Sequence, residues 1–323
     1  MTHSHTMGKE GMVPAILAST AMFVVAYFVY TPPPAGDMGI CFPSPNRWEL
    51  NSLAGWLINL LLAAATTIVL YFTNKEFTLV RGSDTVLQGM FLISAASCPW
   101  LSGMLTSSWI IALANLICFT VLFGCYRKRN ATQELFLIAT ILSLGSMIQY
   151  AFIFFMPVYI IGAGFMKCLN IKVVLAFVLG VCSPYWVGVG LGIIPISSFS
   201  MPALSNLFDN FTPDDNLFFC LLNISITVTI GLLLALNNMV KLYAGNTQRR
   251  LNNSFVNLIG LCCVACIILD SGNMPAYFAS TYMICAVQLA NLFALRNIKY
   301  GWIWLLALSI MYITMFSLQV LNL

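Results

Sequence analysis

Eleven apolar stretches run through this chain, and no Asp, Glu, Lys, Arg or His falls in the central part of any of them. They cover residues 12–30, 52–73, 85–100, 105–126, 132–148, 150–167, 172–194, 216–240, 254–270, 276–295 and 302–322. A helix needs about 20 apolar residues to cross a bilayer. Only 7% of the 323 residues are charged and 60% are hydrophobic, whereas a soluble domain carries about 25% charge. The pattern predicts an all-α, polytopic transmembrane helical bundle. It is read as one integral membrane domain over 1–323, with no soluble domain. Disorder is excluded, because it requires low hydrophobicity and high charge. A scattered net charge of +4 makes no basic stripe, so nucleic acid is excluded as a partner.

Breakers fall where the helices must end. Thr31-Pro32-Pro33-Pro34 closes the first stretch, since proline supplies no amide donor. Cys98-Pro99-Trp100 and Ser102-Gly103 divide the third stretch from the fourth, and Asp270 to Pro275 divides the ninth from the tenth. Thr132, followed by Gln133 and Glu134, reads as a capped helix start, as does Ser83 or Asp84. The stretches 85–100, 132–148 and 150–167 are short. A 16-residue helix reaches about 24 Å, so each spans a bilayer only if it thins, or folds back as a re-entrant hairpin. The first stretch is read as an uncleaved anchor, because Pro33 occupies the −3 position before Ala35, where a signal peptide needs a small residue.

Lys and Arg collect on the cytoplasmic side of membrane proteins. With the N-terminus inside and eleven alternating spans, 13 of the 14 basic residues fall inside and only Arg47 falls outside. Six of the ten acids fall outside. The expected topology is N-terminus in, C-terminus out.

Ionisable groups at membrane depth mark proton relays and ion-coupled pumps. Their absence argues against a proton-coupled transporter, with Asp270 the nearest approach of a charge to a span. Uncharged polar residues remain at Asn59, Gln88, Asn115, Gln149, Asn223, Asn257, Gln288 and Asn291. Interhelical hydrogen bonds are the expected use, and a polar path the alternative. Gln288 and Asn291, three apart, share a helix face.

The Cys262-Cys263-Val264-Ala265-Cys266 run contains a CxxC. Thiolates in hydrocarbon are costly, so these read as small packing residues. Cys41, Cys98 and Cys220 fall near the outer face, where a Cys41–Cys98 or Cys41–Cys220 bridge is an option. His3 and His5 read as part of a tail rather than a metal site. No metal site and no cofactor are expected. Gly188, Gly190 and Gly192 lie in a span, where glycines let helices approach closely.

Two outer loops are long enough to carry chemistry. Residues 31–51 hold Asp37, Cys41, Arg47, Trp48 and Glu49. Arg47 departs from the positive-inside trend. Either it pairs with Asp37 or Glu49, with Trp48 in the interfacial belt, or it holds a lipid phosphate. In the second case Asp37 or Glu49 is the candidate general base, and Arg47 with Trp48 the candidate substrate-binding pair. Residues 195–215 carry Asp209, Asp214 and Asp215, and the spacing of Leu204, Leu207, Phe208 and Phe211 predicts a short interfacial helix.

The segment from Arg81-Gly82-Ser83-Asp84, through Ala112 to Leu116 and Leu135 to Leu144, to Pro157 and Gly180 to Tyr185, resembles a family of uncharacterised multi-spanning bacterial inner-membrane proteins. That family has no established activity, so the resemblance implies location only. In layout the chain is also similar to C-type glycosyltransferases, which use polyprenyl-phosphate sugars. These have a cytoplasmic N-terminus, one span, and a first outer loop carrying an essential acid, and Asp37 occupies that topological place. The 21 residues of this loop are short for that family. The similarity implies membrane lipids as surroundings and a polyprenyl-phosphate-linked substrate as partner. A non-catalytic membrane subunit or scaffold, and a facilitator for a neutral or amphipathic solute, are the alternatives.

Overall fold

The computed structural model describes residues 12–29, 39–48, 50–80, 84–199, 215–242, 247–295 and 301–321. Among these residues the structure is helical, with no strand. The helices are α1 (Met12–Phe28), α2 (Ser52–Phe77), α3 (Asp84–Ala96), α4 (Pro99–Ser102), α5 (Ser107–Phe123), α6 (Thr132–Ile148), α7 (Phe152–Phe165), α8 (Ile171–Gly190), α9 (Asp215–Leu242), α10 (Thr247–Leu269), α11 (Pro275–Leu295) and α12 (Gly301–Leu321). Each of the eleven apolar stretches overlaps one of the helices of 13 residues or more. The twelfth, α4, is the four-residue turn that Pro99 opens. Helices α2, α8, α9, α10, α11 and α12 are long and apolar enough to cross a membrane. The remaining apolar helices, α1, α3, α5, α6 and α7, have 13 to 17 residues. At 1.5 Å per residue they reach roughly 20–26 Å, less than the ~30 Å hydrocarbon layer.

Helix α11 is the axis of the bundle. It packs against α3, α5, α9 and α10, and 83% of its apolar window is buried, against 17–39% for the other five long helices. It is also the least apolar of the six. Ser280, Thr281, Gln288 and Asn291 lie buried along it. The outermost long helix is α8. Its main packing is on α6, with Gly180 at the contact. A Cβ there would lie 2.6 Å from the Phe136 carbonyl oxygen and 2.7 Å from the Ala139 Cβ. Of the glycines anticipated as points of close approach, Gly188 is met by the Ile194 side chain, 2.4 Å from where a Cβ would stand, whereas a Cβ at Gly190 or Gly192 would meet nothing within 4 Å. On its far side α8 exposes Ile171, Leu175, Leu179 and Trp186. Such a face is unfavourable in water and suits lipid. A bundle with six long apolar helices and faces of this kind has the build expected of a multi-pass membrane protein.

Several of the amides read as interhelical hydrogen-bonding groups donate between helices, while the Nδ2 groups of Asn115, Asn257 and Asn291 have no partner. Asn59 donates to the Leu101 carbonyl at 2.7 Å, and Asn223 to the Ser97 carbonyl at 3.1 Å. Both carbonyls belong to the break around Pro99, where helical bonding stops. This connection, unlike most loops, is buried: Ser97, Cys98, Leu101 and Ser102 are all at 0% exposure. Backbone left unpaired at such depth would cost several kcal/mol, which is why asparagines from α2 and α9 meet it. Tyr159 donates to the Asn115 carbonyl at 3.0 Å in the same way. The start of α6 differs from expectation. Ala131 holds the cap position and makes no side-chain cap bond, so Thr132 is the first helical residue and not the cap. Among the described residues, Lys128 and Glu134 form the one ion pair.

The three cysteines read as lying near the outer face do not all come together. Cys98 and Cys220 lie with sulfurs 3.2 Å apart, while Cys41 lies apart from them, near Tyr185. All eleven cysteines are free thiols. Neither Cys41 bridge is formed, because the loop carrying Cys41 is held on α6 whereas Cys98 faces α9. A membrane-permeant dithiol oxidant is expected to join Cys98 to Cys220, since small motions bring the sulfurs to bonding distance. Non-reducing peptide mapping should find the 98–220 link in the wild type. Its absence there, or a link through Cys41, would refute this placement.

Candidate functional site

One end of the bundle carries the residues singled out in the first loop. Gly39 to Trp48 form a tight loop docked on the C-terminus of α6. Ile40 N–H donates to the Ser146 carbonyl at 3.1 Å, and the N–H groups of Cys41 and Phe42 donate to the Met147 carbonyl at 3.1 and 2.9 Å. These carbonyls are among the last four of α6, which a helix cannot satisfy internally. The approach is so close that Gly39 has no space for a side chain. A Cβ there would sit 2.3 Å from both the Ile148 carbonyl carbon and the Met147 oxygen. Asn46 Oδ1 accepts from the Ser107 N–H at 3.0 Å, tying the loop also to the start of α5. Partial burial pushes the Cys41 thiol above its ordinary range, which disfavours the reactive thiolate.

Pro45–Arg47 form a single 3₁₀ turn with Arg47 as its last residue. Arg47 is exposed and makes no ion pair among the described residues. Trp48 is 41% exposed, with its indole N–H donating to the Pro43 carbonyl at 3.1 Å. Phe42 is exposed beside them in sequence. The loop thus presents a cation and two aromatic rings on a backbone fixed to the bundle. Asp37 and Glu49, the candidate bases, lie outside the described residues, as does the interfacial helix expected at 204–211.

A buried carboxylate occupies the same end. Asp270 closes α10, is 3% exposed, and accepts hydrogen bonds from two phenols. Tyr150 donates to Oδ1 at 2.5 Å, and Tyr277 to Oδ2 at 2.7 Å. Asn273 Nδ2 approaches Oδ2 at 3.5 Å, and Gln149 Nε2 donates to Asn273 Oδ1 at 2.8 Å. Tyr150 and Gln149 come from the break between α6 and α7, and Tyr277 from the first turn of α11. Charge-assisted bonds of this kind compensate the desolvation of a carboxylate. They also occupy both its oxygens, so Asp270 serves as an acceptor that locks two helix breaks together. Its proximity to a helix end was legible in the sequence, but its partners were not, since Tyr150 is 120 residues away. Ser146 continues the set from α6 to α8, with its hydroxyl 2.6 Å from that of Tyr185.

The site therefore joins a fixed surface loop, which offers a guanidinium, to a rigid polar layer beneath the ends of α6, α7, α10 and α11. The loop is the chemically available part. No family model, curated protein or solved structure matches this chain.

Proposed function

We propose that this chain is a multi-pass protein of a bacterial inner membrane, with its N-terminus in the cytoplasm and its C-terminus outside, crossing the bilayer eleven times. We further propose that the loop end lies at the outer leaflet and handles a lipid-linked phosphate, in the manner of a polyprenyl-phosphate-dependent glycosyltransferase. The observation that carries this reading is Arg47, an exposed guanidinium on a loop fixed by backbone hydrogen bonds. A planar guanidinium binds phosphate oxygens through two parallel N–H bonds. Trp48 and Phe42 suit the lipid-facing side of such a site.

In the proposed step an acceptor hydroxyl attacks the anomeric carbon of the lipid-linked sugar. Its proton passes to the carboxylate of Asp37 or Glu49. The bond from the anomeric carbon to the phosphate oxygen breaks, and the phosphate leaves with the electron pair, its charge stabilised by Arg47.

Two variants in the natural host test this. Arg47→Gln and Asp37→Asn are each expected to alter the envelope glycan profile while leaving the amount of protein in the membrane unchanged. A wild-type profile from both would refute the enzyme reading. A periplasm-active reporter fused after Leu323 is expected to be active, and an inactive one would overturn the topology. The peripheral placement of α8 favours a second reading, a non-catalytic subunit with a partner seated on Ile171, Leu175, Leu179 and Trp186. That reading predicts unchanged glycans together with a complex larger than the single chain in mild detergent.

A further inference from the structure

Helices α9 and α10 both rest on α11 yet diverge from one another, leaving a cleft of about 130 Å³ between them. Its walls are almost wholly apolar, with Leu232, Ala235 and Leu236 from α9, Leu261 from α10 and Ile284 from α11. Only Thr281, Asn257 and Gln288 interrupt them. Leu232, Leu236 and Leu261 at the rim are exposed. The mouth lies between two of the six long apolar helices, so in a bilayer it opens sideways to hydrocarbon.

The polar end of the cleft is built for an acceptor. Gln288 Nε2 donates to Asn257 Oδ1 at 2.6 Å and to Asn253 Oδ1 at 2.9 Å. Gln288 is itself fixed by Asn238, which donates to its Oε1 at 3.1 Å. With its oxygen taken, Asn257 is left with a buried Nδ2 donor that has no partner. A buried donor without an acceptor is penalised, so a ligand oxygen placed there would be favoured. Along α10, Arg250, Asn253, Asn257, Leu261 and Val264 follow the 3, 4, 4, 3 spacing of a single helix face. That face reads cation, amide, amide, then apolar. Arg250, half-buried, stands about 10 Å along the axis from Asn257.

We propose that this cleft binds an anionic glycerophospholipid. One acyl chain lies between α9 and α10, an ester carbonyl accepts from Asn257 Nδ2, and the phosphate meets Arg250. The sequence of polarity along the face is that of the lipid read from phosphate to chain. This inference rests on α9, α10 and α11 lying across a bilayer and not on any chemistry at Arg47.

The test uses the full chain in nanodiscs of phosphatidylcholine containing a minor fraction of phosphatidylglycerol with a diazirine in its acyl chain. After illumination, labelled peptides are mapped by mass spectrometry. Labelling is expected to concentrate in residues 228–239 and 257–264, relative to the exposed 175–179 face of α8. Ala235→Trp, which fills the cleft from one wall, should lower that excess about tenfold, equivalent to about 1.4 kcal/mol. Leu261→Trp on the other wall should do the same and decides the matter if the first variant does not fold. Arg250→Gln should remove the preference for the glycerol head over a choline head. Equal labelling of the cleft and α8, or excess labelling unmoved by both tryptophans, would overturn the proposal. Displacement of the label by an equal amount of polyprenyl phosphate would overturn the glycerolipid assignment. Extraction of the wild type by alkaline carbonate would instead defeat the bilayer reading beneath it.

Discussion

Asp270→Ala is expected to destabilise the protein by about 3 kcal/mol or more, because each buried donor left without an acceptor costs about 1–3 kcal/mol. The hydroxyls of Tyr150 and Tyr277 lose their acceptor together, and Asn273 loses its approach to the same group. Removing one donor should cost much less, so Tyr150→Phe and Tyr277→Phe are each expected near 1 kcal/mol. The combination of Asp270→Leu with both Phe changes should recover part of the loss, since replacing a whole buried polar set by apolar groups is often close to neutral. Thermal unfolding in detergent, followed through a buried cysteine that becomes reactive, measures all four variants. An alanine variant as stable as wild type would refute the account of Asp270 as the lock between two helix breaks. A lock of this kind also bears on the loop end as a whole, because Gln149 and Tyr150 continue directly from the helix end on which residues 39–42 are docked.

Gly39→Ala is expected to release the first loop from α6. The added methyl would meet the Met147 and Ile148 backbone at 2.3 Å, and main chain inside a packed helix end cannot withdraw. Three backbone bonds from residues 40–42 to α6 would be lost, a cost of about 3 kcal/mol at roughly 1 kcal/mol each, confined to the loop. The helices should remain assembled, because the core does not depend on this loop. Limited proteolysis of the purified chain should then cut within 39–48 far faster than in wild type, while the helical far-UV signal is unchanged. On the proposed function, the same variant should reproduce the glycan profile of Arg47→Gln, since Arg47 would keep its charge and lose its position. A cleavage rate equal to that of wild type would show that the glycine is not required there.

Helix placement was legible in the sequence because its signals are local. Pro99, Gly103 and the Asp270 to Pro275 segment interrupt apolar runs, and each interruption marks a real helix end. Lateral order was not legible. These helices are apolar almost all round, so periodicity gives no strong face, and nothing local pairs α3 with α11 or Cys98 with Cys220. The Thr132 start was misplaced by one residue because cap preference is weak where neighbouring helices supply the stability. Among polar residues, the chemical type was readable and the partner was not. Asn59 and Asn223 read as interhelical donors, yet their acceptors are backbone carbonyls exposed by a break elsewhere in the chain. For the candidate site, Arg47 and Trp48 stand at the surface as a charged and an aromatic residue in a Pro-rich loop suggest. The Asp270 layer beneath them comes from segments more than 100 residues apart, a distance that no motif bridges.

The position of α11 has a consequence for how the protein is made. A nascent chain enters the bilayer in order, and a segment partitions from the insertion machinery according to its own polarity. Helix α11 brings Ser280, Thr281, Gln288 and Asn291 with it and is the least apolar of the long helices. Every helix of its main packing set (α3, α5, α9 and α10) precedes it in the chain. The receptacle for the least lipid-compatible segment is therefore synthesised first, and α11 can pass from the ribosome into protein and not into lipid. Helix order is therefore expected to matter for biogenesis alongside composition, and a circular permutation that moves α11 ahead of its partners is expected to lower the yield of inserted protein, as membrane fractionation would measure.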